Sequence, residues 1–515
     1  STTGNQTWTI IGSLGSGLGS DSINMADGTD TLILSTNGTH TVWLAGVENL
    51  SLSSTSGYDV TLSGPVTGMS VIGNTGTDIL RLAPIGNTVT IDRIDTVVGG
   101  SGTDVVTLSS AHNQTVTVSG VESLVGGTGT DIVTLSGGGS ITIGSGVDTL
   151  LGGSGSDVVT LGTAQTITVD TAIESIVGSS GSDTLKYSPV AATLDLSGIS
   201  ISNVETIQDT YSAGANTIKV STSSLGTAVT QLTAGAASSI LQTADNTLNI
   251  AGKTLTNFST IQFTGASANT LVISDSTSIT GVDTLIANSQ PVTITTGGST
   301  LNASQFVNVL NLTGLTLAST NTAGCTITGD PNAATLSGSA SAGNTDTLIG
   351  GGGADTLSAT TNGGNTVYRY VSTADAGDAI SSFTHSTDTF QFTNAAFTGL
   401  PTAVTSGNTI ASGDAVLGLL AAAYGSTNLS TKNLVSFDSA TAYANAEAAI
   451  SAFNTAGGTI GTGALFIVYK NSGTGLTTVA YDSDRAVSTG GSAAVDIAKI
   501  TTVTGTIDHT DFVMT

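Results

Sequence analysis

The chain has 515 residues, of which 36 are acidic and 10 are basic, so its formal net charge is −26. This acidic balance excludes a nucleic-acid-binding surface, which needs clustered Lys and Arg, and favours divalent cations as ligands. The lone cysteine, Cys325, excludes an internal disulfide. We expect no secretory signal peptide in the first ten residues, and no apolar run reaches the length of a membrane-spanning helix.

Residues 1–70 predict the irregular first coils of a repeat protein. Turn-like segments surround Asp21, Asp30 and Asp59, and the segment around Glu48 echoes a second acidic position. Terminal repeats are expected to be atypical because they cap the stack.

Residues 71–190 contain a motif that recurs five times, as VIGNTGTDILRL, VVGGSGTDVVTL, LVGGTGTDIVTL, LLGGSGSDVVTL and IVGSSGSDTLKY. Its aspartates are 26 or 27 residues apart, and a second acidic residue lies nine residues before each of the last four. Such a fixed period is typical of proteins built from stacked repeats. The turn aspartates are Asp78, Asp104, Asp131, Asp157 and Asp183, and the second acidic residues are Asp95, Glu122, Asp148 and Glu174.

Alternating runs such as TVTI and TVTV lie between these acidic positions. Alternation of Val, Ile and Thr predicts strands, about three in each period, separated by Gly-rich turns. We therefore expect an all-β, elongated parallel β-solenoid or β-helix with one three-sided coil per period. Equivalent aspartates would form one column with a spacing of about 4.8 Å. Carboxylates so close together repel, so we expect cations between them.

Three of the five turns match the nonapeptide G-G-x-G-x-D-x-U-x, and the segments Gly73–Arg81 and Gly178–Lys186 lack only its second glycine. This pattern resembles the RTX (repeats-in-toxin) family, and the resemblance implies several Ca²⁺ ions held by turn carbonyls and carboxylates. Aspartates spaced by 26 residues depart from the nine or eighteen usual in that family. The matching glycines are Gly99, Gly100 and Gly102, then Gly126, Gly127 and Gly129, then Gly152, Gly153 and Gly155.

Residues 191–335 keep the rhythm but lose the charge at the turns. Asparagine replaces aspartate at Asn216, Asn246 and Asn269. Stacked asparagines can form an amide ladder without an ion. We therefore expect a calcium-free asparagine ladder after about residue 190.

Residues 336–395 predict an RTX β-roll, because Gly350–Ser358 is another full nonapeptide and Asp346 lies nine residues before Asp355. The calcium ligands implied here are Asp346, Gly350, Gly351, Gly353 and Asp355, with Asp375, Asp378 and Asp388 as weaker candidates. Residues 396–515 are similar to the C-terminal region of type I-secreted RTX proteins, including a turn at Asp482 and Asp484. Within this small α+β domain, DAVLGLLAAAYG and ATAYANAEAAISAF predict helices.

The sequence contains no recognisable catalytic motif. It lacks a zinc-binding HExxH, a GxSxG nucleophile elbow and a phosphate-binding loop, and its four histidines are scattered. We therefore expect no enzyme, and we expect the histidines and lysines to lie on the surface.

Three functions stay open. The RTX resemblance implies a secreted, calcium-dependent structural protein that assembles with itself on the bacterial cell surface, as S-layer subunits do. Its partners would be further copies, cell-surface polysaccharide and the type I secretion machinery. The alternatives are a type I-secreted adhesin or biofilm-matrix protein, and the RTX part of a secreted enzyme whose catalytic domain lies elsewhere.

Overall fold

The structure is a computed structural model in which strands dominate. It describes residues 4–14, 21–25, 27–189, 192–274, 279–298, 300–303, 308–330, 332–359, 363–398, 400, 408–485 and 494–515. Its parallel strands stack into coils, so the predicted all-β parallel solenoid is confirmed. The chain divides into two compact units, which we describe separately. Unit 1 comprises Ser1–Thr243 and Lys253–Phe258, and unit 2 comprises Ala244–Gly252 and Ser259–Thr515.

Unit 1 contains two long parallel sheets, sheet A and sheet B, between which the chain alternates. Sheet A consists of Thr7–Ile10, Thr31–Leu34, Asn49–Leu52, Thr67–Ile72, Thr88–Asp92, Val105–Leu108, Ser123–Val125, Gly139–Ile143, Asp157–Leu161, Ser175–Val177 and Ser200–Ser202. Sheet B consists of Asp21–Asn24, Gly38–Ala45, Tyr58–Leu62, Ile79–Arg81, Thr96–Val98, Thr115–Ser119, Ile132–Leu135, Thr149–Leu151, Thr166–Val169, Thr184–Tyr187, Thr206–Asp209, Gln231–Thr233 and Thr254–Thr256. Inward side chains in register, such as Leu32, Leu50 and Val71, are fully buried and form the core.

One coil of unit 1 is shorter than the sequence period. In sheet A, Thr88 pairs with Val105 and Val105 pairs with Ser123, so a coil there takes 17 or 18 residues. Each coil contributes one strand to sheet A and one to sheet B, so the predicted three-sided coil is wrong. A sequence period records where a motif returns, and it does not record how many strands one turn of a solenoid contains.

The period of 26 residues therefore spans about one and a half coils, and consecutive turn aspartates lie on different sheets. Asp78, Asp131 and Asp183 directly precede strands of sheet B. Asp104 directly precedes the strand Val105–Leu108 of sheet A. Asp157 is the first residue of Asp157–Leu161, which lies three strands further along the same sheet. The single column of five carboxylates expected from the sequence is wrong for this reason.

Coils become longer after residue 190 of unit 1. Thr206 pairs with Gln231, and Gln231 pairs with Thr254, so these coils take 25 and 23 residues. The added residues form a third strand in each coil. These strands, which pair with one another, are Thr193–Asp195, Thr217–Val220 and Ser239–Thr243.

Among the described residues, the turn asparagines Asn216, Asn246 and Asn269 show no hydrogen bonds from one to the next. In unit 1, the amide of Asn216 donates to Asp209, and its oxygen accepts from the hydroxyl of Ser239 at 2.8 Å. In unit 2, pairing of the adjacent residues places Asn246 and Asn269 in neighbouring coils. However, the buried amide of Asn269 has no hydrogen-bond partner among the described residues. The expected ladder is therefore wrong.

Unit 2 consists of stacked coils followed by a mixed sheet. One set of its strands is Thr247–Asn249, Phe258–Phe263, Asn269–Ile273, Thr284–Thr296, Asn308–Ser319, Thr335–Ser337, Thr356–Ser358, Asp378–Ile380, Ala415–Leu419, Leu434–Phe437, Ala442–Tyr443, Leu465–Asn471, Thr477–Asp482 and Val495–Ile500. A second set is Thr300–Asn302, Thr326–Thr328, Thr345–Ile349, Asn365–Tyr370, Thr389–Phe392, Asn408–Thr409 and Phe512–Met514, and Phe383–Thr384 pairs with Val503–Thr504. Stacked aromatic side chains, including Phe390, Phe392 and Phe512, fill the core.

One of the two predicted helices exists. Ala446–Thr455 is an α-helix whose first turn is capped by Asn445. The Ala-rich segment before it is instead the strand Ala415–Leu419 followed by the 3₁₀ turn Ala421–Ser426. Pairing with the parallel strand Leu434–Phe437 outweighs the helix propensity of this segment, so that prediction is wrong. Further 3₁₀ turns are Thr373–Asp375, Ser412–Asp414 and His509–Asp511.

Candidate metal centre

Four of the five turn aspartates in unit 1 are buried carboxylates that bridge two stretches of backbone. Asp131 is the model case: its Oδ1 accepts from the N–H of Gln114 in the preceding coil at 2.9 Å, and its Oδ2 accepts from the N–H of Gly127 at 2.7 Å. We call this arrangement an aspartate clasp. Clasps also form at Asp78 with Tyr58 and Asn74, at Asp104 with Asn87 and Gly100, and at Asp183 with Gln165 and Ser179.

The glycines of the repeated turns let the backbone approach the clasped aspartate closely and turn sharply beside it. Gly100 supplies the N–H that Asp104 accepts within its own turn. Gly99 lies so close to the next coil that a side chain would collide with the carbonyl oxygen of Gly120. Gly102 has a φ of +109°, in the region that favours glycine. The same positions in the other full nonapeptides are Gly126, Gly127 and Gly129, then Gly152, Gly153 and Gly155, then Gly350, Gly351 and Gly353.

Each second acidic residue pairs with the turn aspartate of the preceding coil. Asp95 accepts the backbone N–H of Asp78 at 2.7 Å, whereas the sequence associates it with Asp104 nine residues later. Its side chain, unlike that of Asp78, is exposed to water. The equivalent bonds join Asp104 to Glu122 at 2.8 Å, Asp131 to Asp148 at 2.8 Å and Asp157 to Glu174 at 2.7 Å. The acidic residues of unit 1 therefore form pairs with one buried and one solvated member.

Two of the aspartates predicted in unit 2 are clasped in the same way. Asp346 accepts from the N–H groups of Cys325 and Ala340 at 2.8 and 2.7 Å. Asp388 accepts from those of Thr366 and Thr384 at 2.9 and 2.8 Å. The remaining weak candidate, Asp375, closes a capping box on its own 3₁₀ turn.

Asp355 and Asp378 form a different arrangement, which we call the open pair. Asp355 Oδ1 accepts from the N–H of Ala334 at 2.7 Å, and Asp378 Oδ1 accepts from the N–H of Asp355 at 3.0 Å. The Oδ2 atoms of both residues are buried and have no hydrogen-bond partner among the described residues. Both point into the space left by Gly350, where a Cβ atom would lie 2.6 Å from Asp355 Oδ2 and 3.0 Å from Asp378 Oδ2.

The electrostatics of the open pair favour a bound positive charge. Burial and neighbouring carboxylates, including Asp330 and Asp375, raise the pKa of Asp355 to about 7. Burial and the charge of Asp355 raise the pKa of Asp378 to about 7 as well. Near neutral pH, both carboxylates can be ionised here only if a cation lies between them, and otherwise one of them takes up a proton. Oxygen ligands of this kind are those that Ca²⁺ prefers.

Sequence reasoning missed two neighbours of the open pair. Asp330 is 1 % exposed, and its Oδ1 has no hydrogen-bond partner among the described residues. Tyr370 is buried beside Asp378, and burial, that charge and a hydrogen bond from the hydroxyl to the carboxylate raise the pKa of the hydroxyl. The contact is looser than a normal hydrogen bond, since neither atom has a partner of good geometry among the described residues. Neither residue belongs to the nonapeptide, although the Gly329-Asp330 dipeptide is a weak turn signal that could have indicated it.

A histidine and two aspartates also meet near the end of unit 2. His385 Nδ1 lies 3.1 Å from Asp511 Oδ1, and its Nε2 lies 3.8 Å from Asp508 Oδ2. Their ligand atoms are close enough to share an ion. However, both ring nitrogens already face a carboxylate, and Asp511 also accepts the N–H of Asp508 at 2.7 Å. We interpret this group as an ion pair that holds the last strand.

The prediction that histidines and lysines lie on the surface is wrong for two residues. His40 is fully buried, accepting the N–H of Leu14 at its Nδ1 and approaching the carbonyl of Thr36 with its Nε2. Lys253 is 6 % exposed and donates to the carbonyl of Val229 at 2.7 Å. Both side chains satisfy backbone groups at turns, so neither joins a catalytic group.

No family model, curated protein or solved structure matches this chain. None of the helices in the described ranges combines the length and the apolar character needed to cross a bilayer.

Proposed function

We propose that this chain is a calcium-dependent extracellular structural protein that assembles with itself into a surface layer or filament. In this proposal the chain is exported by a type I system, folds outside the cell where calcium is abundant, and contacts further copies and cell-surface polysaccharide. The open pair of Asp355 and Asp378 is the observation that carries the proposal, because it presents two buried carboxylate oxygens without N–H donors, with only the Tyr370 hydroxyl interacting with Asp378.

A cation at the open pair would couple binding to folding. The unfolded chain does not hold Asp355 and Asp378 together, so calcium binds the folded form preferentially. Such binding stabilises the fold by RT ln(1 + [L]/Kd), which is about 2.7 kcal/mol when calcium is present at 100 times Kd. At low calcium the same buried charges would repel each other and weaken unit 2. This logic fits a chain that must stay unfolded until it has left the cell.

The acidic surface of unit 1 supports the assembly part of the proposal. Asp95, Asp148 and Glu174 are exposed along the turns, and the net charge of the chain is −26. Two such surfaces repel each other unless divalent cations lie between them. Calcium would therefore act twice, inside unit 2 and between neighbouring copies.

A calcium titration of the purified full chain tests this proposal. Starting in chelator, we expect light scattering to rise in the millimolar calcium range, with ordered sheets or filaments in negative-stain images. The double variant Asp355→Asn/Asp378→Asn should need more calcium or fail to assemble. Asp283→Asn, which removes one exposed charge of unit 2, is the matched control and should assemble normally.

Two results would contradict the proposal. A chain that binds calcium and stays monodisperse rejects self-assembly and favours an adhesin. A chain that assembles equally in chelator rejects the role of calcium.

A further inference from the structure

Trp43 presents its indole on the outer face of sheet B. In the strand Gly38–Ala45 the side chains of Val42 and Leu44 are buried, so the side chain between them points outward, and it is 39 % exposed. The ring lies against Gly64, where a Cβ atom would collide with Cδ1 and Nε1 of the indole. The glycine therefore makes room for a flat, rigid apolar surface at the boundary with water.

Polar groups continue across the same face from Trp43. Thr41 pairs with Thr61 and Thr61 pairs with Arg81, so these three residues form one outward row across neighbouring coils. Arg81 Nε donates to Asp59 Oδ1 at 2.8 Å, and Nη2 donates to Oδ2 at 3.1 Å. Both side chains of this ion pair are partly exposed, at 41 % and 31 %. They therefore offer N–H donors and carboxylate lone pairs to a ligand without carrying a net charge.

The indole and the ion pair are separated by a distance that suits an extended ligand. Arg81 lies two strands across and two residues along from Trp43, which places their Cα atoms about 12 Å apart. Thr41 and Thr61 lie between them and also point outward. We call this surface the Trp43 face, and it consists of Trp43, Thr41, Thr61, Asp59 and Arg81.

The composition of the Trp43 face decides between classes of ligand. A protein partner needs a contiguous apolar centre, but among the described strands of sheet B Trp43 alone is an exposed large apolar side chain. A polyanion is disfavoured, because Asp59 neutralises Arg81 and the chain carries a net charge of −26. A neutral sugar fits, because its C–H face packs on an aromatic ring while its hydroxyls both donate and accept hydrogen bonds.

We propose that the Trp43 face binds a neutral oligosaccharide of hexose units. One ring stacks on Trp43, and hydroxyl groups of a further ring exchange hydrogen bonds with the pair of Asp59 and Arg81, while the two threonines bond to the sugar between them. This inference rests on the proposed function only for the source of the sugar, which is the cell-surface polysaccharide. It adds the place of contact and the chemical class of the sugar, and it involves no metal ion.

Binding of the full chain to a glycan array in chelator tests this site. The array carries neutral gluco-, manno- and galacto-oligosaccharides together with acidic uronate oligosaccharides. We expect the unchanged chain to bind a neutral member and not an acidic one. Calorimetry with that member should show a loss of affinity of about tenfold in Trp43→Ala and in Arg81→Gln, because each variant removes one end of the contact.

Trp8→Ala is the matched control. It removes the other exposed tryptophan of unit 1, which lies outside the Trp43 face, and it should bind the sugar as tightly as the unchanged chain does. Circular dichroism checks that each variant is folded, and Arg81→Gln decides the matter if Trp43→Ala is not.

Each outcome decides the inference. Binding to no neutral oligosaccharide overturns it, as does undiminished affinity in the folded variants or equal binding to acidic sugars. If no sugar binds and Trp43→Ala abolishes assembly in calcium, the face is a contact between copies of the chain, and the inference fails. If the chain binds a neutral sugar through this face but never assembles in calcium, the inference stands and the proposed function fails.

Discussion

Unit 1 and unit 2 use the same pairing of a turn aspartate with a carboxylate one coil later, with opposite electrostatic results. Asp78 is clasped by two N–H groups, and its partner Asp95 is exposed to water. Asp355 has a donor at one oxygen alone, and its partner Asp378 is fully buried. The same sequence motif therefore gives Asp78 two N–H donors, although burial still raises its pKa, and gives Asp355 only one.

Under the proposed function, this difference means that the number of backbone donors decides which carboxylates would bind calcium. Two N–H groups per carboxylate offset much of the cost of burying its charge. In that proposal, a buried carboxylate oxygen that lacks an N–H donor is the position at which calcium would bind. The comparison predicts that unit 1 holds its fold in chelator and that unit 2 depends on calcium.

Loss of an aspartate clasp should lower the free energy of unfolding more than any of the other changes. In Asp104→Ala, the N–H groups of Asn87 and Gly100 lose their acceptor, which should cost about 2–6 kcal/mol. Trp8 and Trp43 are the two tryptophans of the chain and both lie in unit 1, so urea denaturation followed by tryptophan fluorescence reports on this unit. We expect the same loss in chelator and in calcium. A loss of stability that appears only in the presence of calcium would contradict this comparison of the two units.

The open pair predicts a pH dependence of unit 2 in chelator. The folded pKa of Asp355 and of Asp378 is about 7, above the ordinary value of 3.8. Their contribution to stability is therefore complete below about pH 4 and is lost as the pH rises through about 7. We expect the free energy of unfolding, followed by tyrosine circular dichroism, to fall by about 2–4 kcal/mol between about pH 5 and pH 8. A free energy of unfolding that stays constant between about pH 5 and pH 8 in chelator would contradict the raised pKa values of Asp355 and Asp378.

Asp378→Asn should change the stability of unit 2 by a smaller amount, and it tests whether the charge of the open pair is what requires calcium. The new amide keeps an acceptor for the N–H of Asp355 and can donate to Asp355 Oδ2. In chelator at about pH 8 this should stabilise unit 2 by about 1–4 kcal/mol, because a buried charge disappears. Added calcium should then stabilise the variant less than the unchanged chain. The control Asp388→Asn, at a clasp of the same unit, should lose stability with and without calcium.

Substitution of His385 should have the smallest effect on the free energy of unfolding. Its hydrogen bond to Asp511 raises the pKa of the imidazole, with Asp508 as the other facing carboxylate. The pair stabilises unit 2 below about pH 6.5 and is lost as the pH rises through the folded pKa. His385→Gln should cost about 0.5–1 kcal/mol near pH 6, nothing near pH 9, and the same amount with or without calcium. A calcium-dependent cost would mean that this group holds an ion.

The strands of unit 1 could be predicted from the sequence, but the coil could not. Alternation in TVTI and VVTL indicates strands because it reflects an inward and an outward face. Coil length depends on which strands pair, and the pairing of Thr88 with Val105 at 17 residues is hidden behind the more conspicuous spacing of 26. The acidic pairs were missed for the same reason, since Asp95 belongs with Asp78 in space.

The candidate site could be predicted only in part. The nonapeptide pointed to Asp355, and the weaker match at Asp378 completed the open pair. What distinguishes that pair from Asp346 is the absence of an N–H donor, which depends on the path of the backbone and leaves no sequence pattern.

Hydrogen exchange measured by mass spectrometry, in chelator and in calcium, tests the central claim most directly. We predict that the clasp amides of Gly100 and Gly127 are protected in both conditions. We predict that peptides around Asp355 and Asp378 exchange quickly in chelator and become protected in calcium. Clasp peptides that exchange freely until calcium is added, with no change around the open pair, would contradict the account.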